Sequence, residues 1–307
     1  HELGVKTIAY IDYYTEKTIP LFGIYDMLIC NTKKHFEAFK WHIGARYLPW
    51  GTNVQLFKPL EISNENNKVV FFHSSGMNPL RKGTDLLIKA MEFIDSNFFK
   101  VIIHTQTDLQ NFYPDLKDLI NKYLQEGKLE IIHKTVNAPG LYFMGDVYVY
   151  PSRLEGIGLT IAEAISSGLG IIVPDCGPMN EFVSEGFGEL VVVDKYFSRH
   201  DGYYWPQNEV DVKDLAKKML IFISEKENIP YVKVKARAYA LDKLNWHKNA
   251  SLLLELFEKV SIKNNNHNNS ILLIRKFENT GLRKYNKFYL KFPSVFSFFM
   301  NWIKKNN

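Results

Sequence analysis

Two glutamates eight residues apart, Glu155 and Glu163, flank a short glycine turn in the run Pro151-Ser-Arg-Leu-Glu-Gly-Ile-Gly-Leu-Thr-Ile-Ala-Glu-Ala-Ile-Ser-Ser-Gly168, which leaves a strand and enters a helix. Glycines at 156 and 158 let a ligand approach the backbone, and a helix start offers unpaired N–H groups and a positive dipole end. Those features suit a diphosphate. Taken alone, the glycine pair fits equally a tight βα turn that binds nothing. The carboxylates narrow the chemistry. Acids repel a diphosphate, so on a ligand-binding turn they must face neutral hydroxyls at its two ends, one on a sugar and one on a ribose. With no ligand, Glu155 reads as a dipole-favoured surface acid and Glu163 as an exposed helix residue. A second candidate element is basic: in Gly76-Met-Asn-Pro-Leu-Arg-Lys-Gly83, Arg81 and Lys82 either stabilise charge on a departing diphosphate or form a solvated turn.

The elements that must position these residues follow from periodicity. From Lys68, short β-branched or aromatic runs alternate with longer stretches of helical period, the pattern of parallel βαβ units. Strands are expected at 69–73, 100–104, 129–133, 146–150, 170–174 and 189–193. Helices are expected at 84–94, with Leu87, Ala90, Met91 and Ile94 on one face, and at 115–124, with Leu116, Leu119, Ile120 and Tyr123. Three more are expected at 212–224, 231–241 and 246–260. Strands apolar on both faces, covered by helices, predict an α/β doubly wound parallel sheet. Upstream, strands at 7–13, 26–30 and 47–50 and a helix at 33–43 read as the end of a preceding domain over 1–54. The opening at His1 reads as the middle of a fold, so an N-terminal part is expected to be missing. The main domain is expected over 55–262, followed by a polar linker over 263–269 and a tail over 270–307. His73, His104 and His133 each end an expected strand and so reach the edge where open sheets bind ligands, but no spacing marks them as metal ligands. They read as structural or peripheral.

With 307 residues, 46% of them hydrophobic and 14% aromatic, the chain can bury one large core or two smaller ones. Cys30 and Cys176 both lie in apolar stretches and read as small buried residues in a reducing, cytoplasmic setting. No apolar run reaches the roughly 18–20 residues of a membrane span. The net charge is +5. From Ser270 onward, eight basic residues against the single acid Glu278 make +7, which leaves −2 upstream. The tail interleaves those basic residues with Phe277, Tyr285, Phe288, Tyr289, Phe292, Phe296, Phe298, Phe299 and Trp302, a mixture that suits the headgroup region of an anionic membrane. A helix packed on the body, or a partner interface, accommodates it as well. The body has no basic face of the kind nucleic acid requires.

The sequence resembles the retaining glycosyltransferases of the large family 4, which have the two-domain GT-B fold. The resemblance is carried by Glu155-x7-Glu163, by Asp146-Val-Tyr-Val-Tyr-Pro-Ser152 before it, and by Gly168-Leu-Gly-Ile-Ile-Val-Pro174 after it. Gly177-Pro-Met-Asn-Glu-Phe-Val183, with Gly186, Gly188 and Leu190-Val191, resembles the next helix and strand, and the likeness runs from about residue 26 to 260. It implies that residues 1–54 end an N-terminal, acceptor-side domain and that a Rossmann-like donor domain follows, in which Glu163 binds the nucleotide ribose and Glu155 contacts hydroxyls of the donor sugar. Gly156, Ile157, Gly158 and Leu159 would supply N–H groups to the diphosphate or sugar, with the Thr160 hydroxyl nearby. The base would lie against Lys134, Thr135 and Val136. Lys82 matches the lysine that neutralises the diphosphate. An arginine is expected just after Gly76, where this chain has Met77; Arg81 is the substitute. Trp246 matches a tryptophan on the helix that returns toward the N-terminal domain, and core packing is its expected role.

The implied reaction moves a sugar from a nucleotide diphosphate to an acceptor hydroxyl with retention, without an obligatory metal or other cofactor, and its catalytic weight falls on Glu155 and Lys82. A carbohydrate, a lipid-linked glycan or a protein would be the acceptor, and peripheral attachment through 270–307 would suit a membrane-borne one. Two rivals remain. A nucleotide-sugar epimerase of the same fold would need acid and base groups at the sugar, which the sequence does not reveal; a non-catalytic subunit would bind donor and dock through the tail.

Overall fold

The computed structural model describes residues 4–60, 67–184, 186–262 and 267–279. Two parallel sheets organise them. The smaller is formed by β1 (Ile8–Tyr10), β2 (Met27–Cys30) and β3 (Ala45–Tyr47), in that order, with Ile8 opposite Met27 and Leu28 opposite Ala45. Helix α1 (Lys33–Phe39) crosses between β2 and β3, and the Thr32 side chain caps it by accepting from the His35 N–H at 3.0 Å.

The larger sheet has six strands: β4 (Val69–Gly76), β5 (Phe99–Thr105), β6 (Leu129–His133), β7 (Val147–Val149), β8 (Gly170–Pro174) and β9 (Gly188–Val191). All neighbours are parallel and the order is β6-β5-β4-β7-β8-β9. Val69, Phe71, Phe72, Val101, Ile102, Ile103 and Ile171 to Val173 are all buried, because helices cover both faces. Each such side chain contributes about 1.5–3 kcal/mol. The helices are α2 (Pro79–Lys82), α3 (Thr84–Ala90), α4 (Leu109–Phe112), α5 (Lys117–Gln125), α6 (Leu159–Ser166), α7 (Val212–Ser224) and α8 (Ile229–Lys243). From β4 the chain winds outward to β5 and β6, then returns to β7 and winds the other way. The order therefore reverses between β4 and β7, and open α/β sheets bind ligands at the carboxyl ends of strands at such a point.

Helix α9 (Trp246–Glu258) returns to the first sheet, where Leu253 and Leu256 pack on Met27, Ile29 and Leu48. Trp246 is half-buried and lies against Trp50 with centroids 4.4 Å apart and planes tilted by 30°, outside the buried core in which it was expected to pack. No helix among the described residues is long and apolar enough to cross a membrane.

The doubly wound parallel sheet is as expected, with several local differences. The strand expected at 189–193 ends at Val191, and Val193 begins an unforeseen antiparallel hairpin of β10 (Val193–Phe197) and β11 (Gln207–Val210). Helix α3 stops at Ala90, where a 3-10 turn over Met91–Phe93 continues it. The helix expected after Gly177 is only a 3-10 turn, Met179–Phe182. His267 to Asn269, expected in the linker, begin α10 (His267–Glu278); the tail beyond 279 lies outside the described residues. Cys30 is buried, but Cys176 is half-buried.

Candidate active site

The reversal point is built by two loops, one after β4 and one after β7. Asn78 caps α2 with its side chain, which accepts from the Arg81 N–H, and Gly83 ends α2 in the left-handed conformation at φ 71°. Any Cβ at Gly83 would lie 2.0 Å from the Pro151 carbonyl oxygen, so only glycine lets the two loops touch. Arg153 completes the contact. Its buried guanidinium grips both Asp85 oxygens at 2.8 Å, Glu209 at 3.0 Å and the Leu80 carbonyl at 2.6 Å. Gly158 (φ 84°) then opens α6, and a Cβ there would sit 2.9 Å from the Phe182 ring. Among the described residues the N–H groups of Ile157, Gly158, Leu159 and Thr160 have no partner, which leaves them free to bind an anion.

Glu155 lies beneath this turn and is buried, so it is not the surface acid that a ligand-free turn would carry. Four donors converge on its Oε1: Lys82 Nζ at 2.7 Å, Tyr150 Oη at 2.8 Å, Ser152 Oγ at 2.9 Å and Arg81 Nη1 at 3.2 Å. Lys82 also bonds the Tyr150 hydroxyl. None of these bonds involves Oε2, the oxygen left for a ligand. Burial pushes the Glu155 carboxyl up, but the charges of Lys82 and Arg81 and the bonds from Lys82 and Tyr150 outweigh it and hold the group below its ordinary value. Burial pushes the Lys82 ammonium down against the pull of Glu155. Lys82, expected to neutralise a diphosphate, is paired with the signature glutamate across the reversal point. Met77, where the resemblance expects an arginine, is 80% exposed, and Arg81 is the cation that joins the site.

Glu163 sits on the second turn of α6, half-buried, and its Oε2 accepts from the Tyr142 hydroxyl at 2.7 Å. Burial raises its pKa, while the Tyr142 bond and Lys82 oppose the rise. Thr135 and Val136 follow β6, the sheet edge. They belong to a row of carboxyl-end loops: Gln106 Nε2 donates to Thr135 Oγ1 at 3.2 Å, and the Gln106 N–H donates to the Gly76 carbonyl at 3.0 Å. His73 does not reach this edge, because β4 continues three residues past it. It is fully buried, donating from Nδ1 to the Val149 carbonyl and accepting at Nε2 from Thr84, and burial pulls its pKa to about 4. His104 is bonded to the Lys134 carbonyl and His133 is exposed.

The other side of the turn meets residues that sequence reasoning did not single out. His35, on α1, bonds the Gly156 carbonyl through Nε2 at 3.2 Å, and its Nδ1 lies 2.9 Å from the Tyr14 hydroxyl. Tyr14 in turn accepts from Trp205 Nε1 at 2.5 Å. The bonds share one direction: Trp205 N–H to Tyr14, Tyr14 O–H to Nδ1, and Nε2–H to the carbonyl, which selects the neutral Nε2–H imidazole. Burial lowers the His35 pKa to about 4, so the ring stays neutral. Glu181 accepts from the Lys33 and Lys34 N–H groups at 2.7 and 2.8 Å, and Lys34 Nζ reaches the Gly177 carbonyl at 2.7 Å, so α1 is tied to the loop after β8. The signal for these contacts lay only in three-dimensional proximity: apart from Tyr14 and His35, 21 residues apart, the partners are more than 120 residues apart.

Fold and site together define a GT-B architecture, with a glycine turn and a helix start at the reversal point. The family model described as glycosyl transferases group 1 matches residues 57–240. That is more than half of the chain, which belongs to this family. The lipopolysaccharide core biosynthesis mannosyltransferase LpsB of Rhizobium meliloti (strain 1021) is 28% identical over 117 residues, 37% of this chain and 33% of that protein. The uncharacterized glycosyltransferase MJ1607 of Methanocaldococcus jannaschii is 23% identical over 157 residues, 48% of this chain and 37% of its own length. The chain thus spans between a third and a half of the curated relatives it matches. Among solved structures, a glycosyltransferase from Rickettsia africae ESF-5 superposes with a TM-score of 0.66 at 17% identity, covering 84% of this chain and 71% of that one. HepE of Anabaena, in complex with UDP and glucose, gives 0.62 at 17% identity over 82% and 71%.

Proposed function

We propose that the chain transfers a sugar from a nucleotide-diphosphate donor to an acceptor hydroxyl with retention at the anomeric carbon. The observation that carries this reading is the convergence at the sheet reversal: free N–H groups of residues 157–160, with Lys82, Arg81 and Glu155 below them and Glu163 beside them. In this reading the N–H groups and α6 dipole hold the diphosphate. Glu155 Oε2 accepts from sugar hydroxyls and Glu163 from the ribose, with Thr160 adding a hydroxyl. Thr135, Val136 and the Gly76 loop flank the base end. That HepE has been solved with UDP and with UDP-glucose supports a sugar nucleotide of this kind.

In the transfer itself the acceptor oxygen attacks the anomeric carbon while the carbon–oxygen bond to the phosphate breaks. The bonding pair leaves with the nucleoside diphosphate, and the acceptor proton passes to the departing phosphate oxygen. Positive charge from Lys82 and Arg81 and the turn N–H groups stabilise the charge that develops there. No step calls on a metal. Lys82 serves this end through its pairing with Glu155, which offsets part of the desolvation of a cation buried under the turn. The acceptor is a glycan or lipid at the cytoplasmic face of a membrane, with 270–307 as the contact. The test is product stereochemistry: proton NMR of the transferred sugar should report the same anomeric configuration as in the donor, and an inverted product would remove the reading.

A further inference from the structure

The small sheet aims its carboxyl ends at the same gap as the large one. Asp12 follows β1, and its Oδ1 lies 3.9 Å from where a Cβ would stand on Gly156. Asp12 is exposed, and among the described residues it has no hydrogen bond and no ion pair. Tyr10, two residues earlier and so on the same face of the strand, is 41% exposed. It packs edge-on against Trp50 with centroids 5.3 Å apart, and its hydroxyl accepts from Asn31 Nδ2. Asn31 is buried at the carboxyl end of β2, and its Oδ1 has no partner among the described residues. Tyr203 comes from the β10–β11 connection, which reaches over to pair with the first unit through the bridge between Thr15 and Tyr203. Asp12 pushes up the pKa of both Tyr10 and Tyr203 after burial has done most of the work, so the three groups share one neighbourhood.

An unpartnered carboxylate facing a glycine turn, between two tyrosines, accepts hydroxyl protons and repels anions. Cations on the surrounding elements are already engaged, Lys34 with the Gly177 carbonyl and Arg199 with Asp201. We propose that Asp12, with Tyr10, Asn31 and Tyr203 around it, forms the subsite that holds the acceptor, and that the end of the acceptor entering it is an uncharged saccharide. Asp12 binds and orients the hydroxyl that attacks; the tyrosine rings flank the apolar edge of the sugar. This rests on the proposed function, since it assumes that the donor sugar lies over Gly156.

The test uses the full chain in the presence of UDP or GDP, whichever binds by calorimetry. Saturation-transfer NMR then compares a panel of neutral methyl glycosides with a panel of glycosyl phosphates on wild type, Asp12→Ala, Asp12→Asn and Tyr10→Phe. Asp12 is exposed, so its variants should keep the wild-type melting temperature. The expected result is a methyl-glycoside signal that falls at least about five-fold in both Asp12 variants, about 1 kcal/mol, while the nucleotide Kd stays within about two-fold. A signal undiminished in Asp12→Ala, glycosyl phosphates that bind wild type as strongly as the methyl glycosides do, or no signal from any methyl glycoside on wild type would each overturn the subsite. Loss of nucleotide binding in Glu163 variants is a separate readout, so failure of the donor reading and failure of the acceptor subsite remain distinguishable.

Discussion

At Glu155, four donors share one carboxylate oxygen. This makes the residue a structural hub as well as a donor contact. Its sequence position announced a ligand-facing acid but not the hub, because Tyr150 and Ser152 look like ordinary strand-end residues until the chain turns back on itself. A group whose folded pKa is depressed adds stability that is present above its unfolded value and lost as pH falls through the folded one. Glu155→Gln should therefore lower stability near neutral pH and flatten the acid limb below about pH 4.5, measured by urea unfolding against pH. Wild-type slope unchanged in the variant would contradict that account. The histidines act in a higher window. His35 and His73 are held neutral at about 4 and must take up protons on unfolding, so stability should fall as pH drops from 6.5 toward 4. Fully developed, each contributes roughly 3 kcal/mol. The slope of unfolding free energy should approach two protons between pH 5 and 6, and His73→Gln should remove about one of them.

Among the elements, the α2–α3 crossover is the one whose fit is most demanding. Gly83 serves two needs, a left-handed backbone and a carbonyl 2.0 Å from any added Cβ. Gly83→Ala should cost at least about 2 kcal/mol and weaken nucleotide binding along with it, read from chemical unfolding and calorimetry together. The Arg153–Asp85 pair fixes the other flank. Removing one buried partner strands the other, so Asp85→Ala should cost about 3–5 kcal/mol, whereas replacing both with apolar residues should cost much less. A near-neutral Asp85→Ala would refute the view that this pair clamps the signature loop. The six parallel strands were legible because Val, Ile and Phe bury both faces and leave near-continuous apolar runs. The β10–β11 hairpin was not, since Val-Asp-Lys-Tyr-Phe and Gln-Asn-Glu-Val carry no apolar alternation; Arg153 on the body holds the hairpin through Glu209 of β11. Likewise α3 read as longer than it is, because the 3-10 turn at Met91–Phe93 keeps the same apolar face.

In the whole molecule, two parallel sheets face one gap, joined by α9, by the Glu181 cap on α1 and by the His35 bond to the signature turn. The sequence pointed to the donor half of this gap through its short-range signature; the opposing half depends on contacts such as His35 to Gly156 that no local pattern encodes. The same scale carries the tail. If its +7 charge meets an anionic surface, the full chain should sediment with phosphatidylglycerol vesicles at low salt and release as ionic strength rises, but not sediment with neutral phosphatidylcholine vesicles. Equal binding to both would argue for a packed or partner-bound tail. The central claim is that a nucleoside diphosphate lies over the turn at 156–158, and isothermal calorimetry tests it most directly. UDP or GDP should bind wild type, and Glu163→Ala and Lys82→Ala should each lose at least about ten-fold in affinity, about 1.4 kcal/mol. Undiminished affinity in both variants, with their folds intact, would contradict it.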